Sequence, residues 1–454
     1  MLLELARAAG ALIMVEAAGV SVLCWMDPPA WCPRIRDRVA LGHLVGASVV
    51  TWIELVSASV SGRISLLPVY AVVLCVALAA QKRFAGYLFR PGQIIRIESG
   101  RSRLWSVPPG VLLIIAVAGA VSGLIWASPL ISDSYVNYAL KAKAIFATGT
   151  LHPLAENCCL HNGYPLLVPI QSWWMFSHIG HVSIRWMQAL GLTYYLDGVI
   201  LAYAFFSYQV SRTWALMGTA ILAADPVSSL AATAGLADPV LAAYFFASAI
   251  FLEDYRTRRD RGSWVIFLLL LSGAIQTKNE GIPWAVFALI GLFCVERRSR
   301  LKTAALSVVS LVLIALPWTW IKFHDRIPVP YYHMSVASLG AVQGSLAARI
   351  PRMLRVYFFQ PFVPFVWIYC FLLIPFSFWI TRGAKKHPSP VLLGMCGAQL
   401  ATYLVLTLTA SNFGDILTFF ERAISHLTPV VVAACLVACF RPEEQQTEQC
   451  ELEQ

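Results

Sequence analysis

The sequence predicts an all-α polytopic membrane protein of about thirteen transmembrane helices, with a long external first loop that carries interfacial helices. Three observations carry that prediction. Apolar residues make up 58% of the 454-residue chain and charged residues only 13%, where an average soluble domain holds about 25% charged residues. A soluble core of this size could not hide so much apolar surface from water, whereas lipid can face it. The apolar residues also gather in runs near the length a bilayer requires, about 20 residues. Basic clusters recur between alternate runs, as cytoplasmic loops require.

In chain order the runs fall near residues 8–26, 40–61, 64–81, 108–128, 186–209, 213–231, 237–253, 263–277, 281–295, 303–321, 357–380, 390–410 and 422–440. The basic clusters are Arg34 to Arg38, Lys82 to Arg103, Arg256 to Arg261, Arg297 to Lys302 and Arg382 to Lys386. All of them fall on one side of the span order, the cytoplasmic side by the positive-inside rule. The Glu- and Gln-rich tail from Arg441 joins them there. The chain divides into N-terminal helices with a basic cytoplasmic linker (1–104), a main transmembrane domain (105–440) and a cytoplasmic tail (441–454).

Segment 164–180 is apolar enough to look like a further span. A crossing there would put Arg212 outside and break the parity of every later loop. The segment opens with Tyr-Pro and carries Trp173 and Trp174, and aromatic pairs prefer the headgroup level. It therefore reads as an interfacial helix on the outer face, inside an external loop running from about 129 to 185.

The net charge of +10 is the basic excess of cytoplasmic loops, and no contiguous basic domain points to nucleic acid. Most of the 11 cysteines lie in apolar runs, where thiols act as small hydrophobes. Cys158 and Cys159 share a loop, and adjacent cysteines seldom bridge each other. No metal-ligand spacing stands out. The first stretch lacks a basic n-region and carries Glu4 and Glu16, so no cleavable signal peptide is expected.

The span order gathers particular polar residues at the external face: Asp133, Asp238, Lys278, Asn279, Glu280, Asp415, Glu421 and Arg422. Each has a structural reading beside a functional one. Asp133, in Ser-Asp-Ser-Tyr, can cap a helix of about 134–147 with Lys141 and Lys143 on its polar face. Asp238, in Ala-Asp-Pro, matches an N-cap signal that Asp225-Pro226 repeats. Lys278-Asn279-Glu280-Gly281 can be a plain turn, and Arg422 a headgroup anchor. On the functional side, ionisable groups at a membrane boundary are costly unless used or paired. A lysine beside a glutamate can hold a phosphate, and an arginine can do so bidentately. His152 and His161 read as exposed or hydrogen-bonded. No chemistry attaches to Glu4, Glu16 and Glu54.

Taken in order, these features resemble a known family. The order is an external Asp after an early span, a Lys-Ala-Lys-Ala-Ile-Phe helix, Tyr164-Pro165-Leu166-Leu167, an Ala-Asp-Pro turn, Thr-Lys-Asn-Glu-Gly and a late Arg followed by Pro429. Residues 105–440 resemble the polytopic C-type glycosyltransferases, in the branch of the protein O-mannosyltransferases and the bacterial aminoarabinose and lipopolysaccharide-core transferases. The resemblance implies transfer of a sugar from a polyprenyl-phosphate donor to a hydroxyl of a glycan, lipid or protein. The reaction would take place on the extracytoplasmic face of a cytoplasmic membrane.

It implies Asp133 as the general base and Asp238 as a second catalytic acid that shapes the site or binds metal where one is used. It further implies Lys141, Tyr164, Lys278, Glu280 and Arg422 as substrate-binding residues, with Lys278 and Arg422 on the donor phosphate. It fixes no cofactor with certainty and leaves a divalent metal open. Asp133 is flanked by serines where the family often has two adjacent acids, and Tyr164 stands where Pro is common. The first three spans have no counterpart.

Three other readings stay open. A transporter or lipid flippase would want an internal repeat and charges deep inside spans; no repeat is visible, and the polar residues gather at one face. A membrane acyltransferase would rest on a histidine near the membrane, here His161, His178 or His181. A structural subunit of a larger complex is the third.

Overall fold

A computed structural model describes residues 2–26, 31–32, 34–89, 107–126, 134–156, 158–159, 161–296, 299–328, 350–351, 389–409 and 422–440. Among them the long elements are all helices. These are α1 (Leu2–Leu23), α2 (Ile35–Ser61), α3 (Leu66–Phe89), α4 (Val107–Trp126), α5 (Leu140–Thr148), α6 (Leu167–Ile179), α7 (Ile184–Gln209), α8 (Arg212–Ala223), α9 (Pro226–Thr233), α10 (Asp238–Arg258), α11 (Arg261–Thr277), α12 (Gly281–Val295), α13 (Arg300–His324), α14 (Pro390–Thr409) and α15 (Thr428–Phe440). A π-helical turn, Tyr135–Ala139, leads into α5.

The helices follow the apolar runs, but the expected thirteen crossings need correction. Six described helices are long and apolar enough to cross a bilayer: α1, α2, α3, α4, α7 and α13. A seventh results if α8 and α9, bent by 56° at Asp225, count as one broken span. The physical reason is length and charge. α11, α12 and α15 are 13–17 residues long, at most about 26 Å of helix against a hydrocarbon core of about 30 Å. α10 is long enough but carries Asp238 at its start and Glu253, Asp254, Arg256 and Arg258 near its end. The run 357–380 lies outside the described residues, as do the 382–386 basic cluster and the tail. What stands is a helical membrane protein with several long apolar helices.

α10 is the axis of the bundle. It is buried without interruption from Asp238 to Leu252, which suits a helix that is apolar all round. α11 packs along it, with α7, α12 and α15 also in contact. α1 and α2 pack face to face through three glycines. A Cβ on Gly19 would come 1.8 Å from the Gly42 carbonyl oxygen, and one on Gly46 1.8 Å from that of Val15. Gly42 and Gly46 have the spacing that lets membrane helices approach backbone to backbone.

α6 corrects a second expectation. Its tryptophans are covered by other helices and not left open on an outer face. Trp173 and Trp174 are 4% and 1% exposed, and the helix packs among α1, α2, α5 and α7. Trp174 Nε1 donates to the Ala11 carbonyl at 3.0 Å, and Gln171 Nε2 to the Ala47 carbonyl at 3.2 Å. The indole N–H and the amide found partners inside the protein instead of in the headgroup layer.

Different contacts tie the helix ends together at the two ends of the bundle. At one end, Trp186 Nε1 donates to Glu4 Oε1 at 2.8 Å and Ile64 N to the Gly149 carbonyl at 2.8 Å. At the other, Arg38 donates to the Cys32 and Tyr87 carbonyls, Arg83 stacks over Trp25, and Ser389 donates to Glu253 at 3.0 Å. The linkers that hold the described basic clusters thus meet one another, away from the loop of 134–166.

Candidate functional site

Asp238 begins α10, yet its side chain does not cap the helix. The comparison with Asp225-Pro226 is direct. There the carboxylate accepts from Val227 N and Ser228 N and caps α9. Asp238 instead turns into the bundle, 2% exposed, where α11, α12 and the chain before α15 deliver its partners. Lys278 Nζ lies 3.2 Å from Oδ1, His426 Nε2 3.0 Å from Oδ1, and Arg422 3.9 Å from Oδ2.

The α11–α12 turn is what aims Lys278. Gly281 N donates to the Lys278 carbonyl at 3.0 Å, and a Cβ on Gly281 would fall 2.1 Å from the Ala274 carbonyl oxygen. Only glycine lets the turn fold so tightly. It is not the solvated hairpin that its polar residues allow: Lys278 and Glu280 are 3% and 6% exposed. Lys278 Nζ also lies 3.3 Å from Glu280 Oε1, while Glu280 Oε2 has no hydrogen-bond donor among the described residues. Burial alone would strip the Lys278 proton, but the carboxylates of Asp238 and Glu280 outweigh it and hold the ammonium above the ordinary lysine range. Two formal cations, Lys278 and Arg422, thus face two carboxylates, and Arg422 is the most exposed of the four at 25%.

Lys141 belongs to α5. It does not sit on the polar face of a solvated helix, as the capping reading expects, but is fully buried. Its Nζ donates to the His161 carbonyl and sits 5.7 Å from the centre of the Tyr164 ring, on which His161 stacks at 4.8 Å. Burial lowers the Lys141 pKa from 10.5 to about 7, partly opposed by the Cys159 and Cys158 thiols. Those two cysteines are free thiols.

Of the residues singled out from sequence, Asp238, Lys278, Glu280 and Arg422 come together, and Lys141 meets Tyr164. Asp133, Asp415 and Glu421 lie outside the described residues. Sequence reasoning missed Gln399 and Tyr403. Gln399 Nε2 donates to the Glu280 carbonyl at 3.1 Å, and Tyr403 Oη lies 3.1 Å from His426 Nδ1. The signal was available: the two stand four residues apart in an apolar run, on one helix face.

The expectation that polar residues gather at one face is also corrected, because His43 and Asp197 pair inside the bundle at 2.5 Å. A small, mostly apolar crevice lined by Tyr194, Tyr195, Leu222, Pro239, Phe246 and Pro429 lies against the first turns of α10 and α15. Among the described residues no three His, Cys, Asp or Glu side chains gather to hold a metal ion. Compared with known proteins, the chain matches no family model, no curated protein and no solved structure.

Proposed function

We propose that the protein is a membrane glycosyltransferase that moves a sugar from a polyprenyl-phosphate donor to an acceptor hydroxyl on the extracytoplasmic face, with inversion at the sugar carbon. One observation carries the reading: four residues chosen from sequence for this chemistry, from three separate stretches of the chain, converge on one buried cluster.

In this reading Asp133 takes the proton of the acceptor hydroxyl as its oxygen attacks the sugar carbon opposite the phosphate. The leaving group is a lipid phosphate, so no general acid is needed. Arg422 and Lys278 stabilise the charge that develops on it. Asp238 is a positioning residue, because His426, Lys278 and Arg422 already surround its oxygens and leave it a poor base. Glu280 Oε2, a buried acceptor, suits a sugar hydroxyl.

The test offers a panel of polyprenyl-phosphate sugars to the purified protein in nanodiscs and follows donor consumption. Consumption in the wild type that is lost in Asp133→Asn and falls by about 100-fold in Arg422→Ala supports the reading. Equal rates in wild type and Asp133→Asn remove Asp133 from the mechanism. A second reading, a proton-coupled transporter, is favoured by the His43–Asp197 pair within spans. Substrate counterflow into proteoliposomes, with no donor consumed, would select it.

A further inference from the structure

α2 and α7 meet through an ionisable pair well away from both ends of the bundle. His43 lies two turns inside α2, and Asp197 lies midway along α7. His43 Nδ1 is 2.5 Å from Asp197 Oδ2, with the two side chains 1% and 9% exposed. The other imidazole nitrogen, Nε2, is buried and has no hydrogen-bond partner among the described residues. Glu16 of α1 adds a second carboxylate that acts on the pair, so Asp197 and Glu16 are the charges that His43 feels. The remaining titratable neighbours are phenols. Tyr194 of α7 stacks 4.7 Å from the imidazole, and Tyr244 of α10 donates to the Leu44 carbonyl at 2.7 Å.

A fixed structural pair would satisfy both imidazole nitrogens. This one leaves a buried nitrogen over, beside two carboxylates and a single base. The charge of the trio therefore changes with every proton it holds, in a low-dielectric interior that penalises net charge. We propose that His43 and Asp197 form an intramembrane proton-binding site, taking up and releasing a proton while the bundle stays folded. In the deprotonated state a neutral imidazole donates from Nδ1–H to the Asp197 carboxylate. The added proton neutralises the pair, residing on the ring or on the carboxyl.

The site is linked to the Lys278 turn. One turn along α2 from Leu44, Ser48 Oγ lies 2.6 Å from Ser272 Oγ of α11. Gln276 Nε2 donates to the same Ser48 oxygen at 3.4 Å, two residues before Lys278. A shift of α2 on protonation would reach that turn through these contacts.

The test uses no sugar donor, so it stands or falls apart from the transferase reading. Protein labelled with ¹⁵N-histidine, in nanodiscs, is followed by NMR from about pH 5 to 9, the range in which histidine changes charge. The expected result is one titrating imidazole that is absent from His43→Gln and whose midpoint falls by about one pH unit or more in Asp197→Asn. If either single variant does not fold, the double variant, which keeps a neutral hydrogen-bonding pair, supplies the assignment. A His43 ring that holds one state across the whole range would overturn the proposal. So would a midpoint that Asp197→Asn leaves unmoved.

Discussion

At the scale of single residues, burial decides what the charged groups do. Lys278→Met leaves Asp238 and Glu280 facing each other with no ammonium between them. A buried pair broken on one side costs about 3–5 kcal/mol, so this variant should unfold at markedly lower temperature or denaturant in detergent. A wild-type melting profile would show that the ion pairs in the cluster are not holding the turn.

Lys141 makes a prediction with a definite sign. Its pKa is lowered from 10.5 to about 7 by burial. Below pH 7 both folded and unfolded chains hold the proton, and the folded state bears the full cost of a buried ammonium. Between about 7 and 10.5 only the unfolded chain still binds it, so stability should rise with pH by about 1.4 kcal/mol per unit. Denaturation across pH 6 to 9 checks this. The rise should vanish in Lys141→Met, and a slope that survives there belongs to another group. Sequence could nominate Lys141 and Lys278 but not their burial, because a lysine beside apolar residues is as often at a surface. The two Asp-Pro pairs make the same point. Asp225 caps a helix and Asp238 does not, though the dipeptides are identical, because only Asp238 has a lysine and a histidine brought to it from α11 and the start of the last helix.

At the scale of elements, helix positions were legible because apolar runs of membrane length admit few other structures, and what each helix packs against was not. The α1–α2 contact is the sharpest case. Gly46→Ala puts a methyl 1.8 Å from the Val15 carbonyl oxygen, where backbone must move. It should cost about 1–3 kcal/mol, while Gly10→Ala on the partner helix α1, with open space around its Cβ, should cost nothing measurable. Thermal melts of the two variants compare them directly, and equal melts would mean that α1 and α2 do not touch as closely as described. α6 shows the limit of pattern reading. Its Trp pair matches a headgroup belt, but a tryptophan N–H is served equally well by a buried carbonyl, and Ala11 supplies one.

At the scale of the whole molecule, the two ends of the bundle should face opposite compartments. His181, next to Glu4 at one end, and Arg258, in a basic cluster at the other, both reach solvent. Cysteines placed at these positions should react with a membrane-impermeant maleimide from opposite sides of the membrane. Labelling of both from one side would dismantle the topology and the external site together.

The sequence by itself determined the class of fold and the grouping of loops, because hydropathy and the sidedness of basic residues act locally along the chain and need no knowledge of contacts. It also nominated Asp238, Lys278, Glu280 and Arg422, since charges between apolar runs stand out. Only the tertiary structure decided which of the described helices are full length, the burial of α6, the inclusion of Gln399 and Tyr403, and the meeting of His43 with Asp197. Those depend on which helix faces which, and the energy of a buried charge is fixed by a partner that can lie 154 residues away.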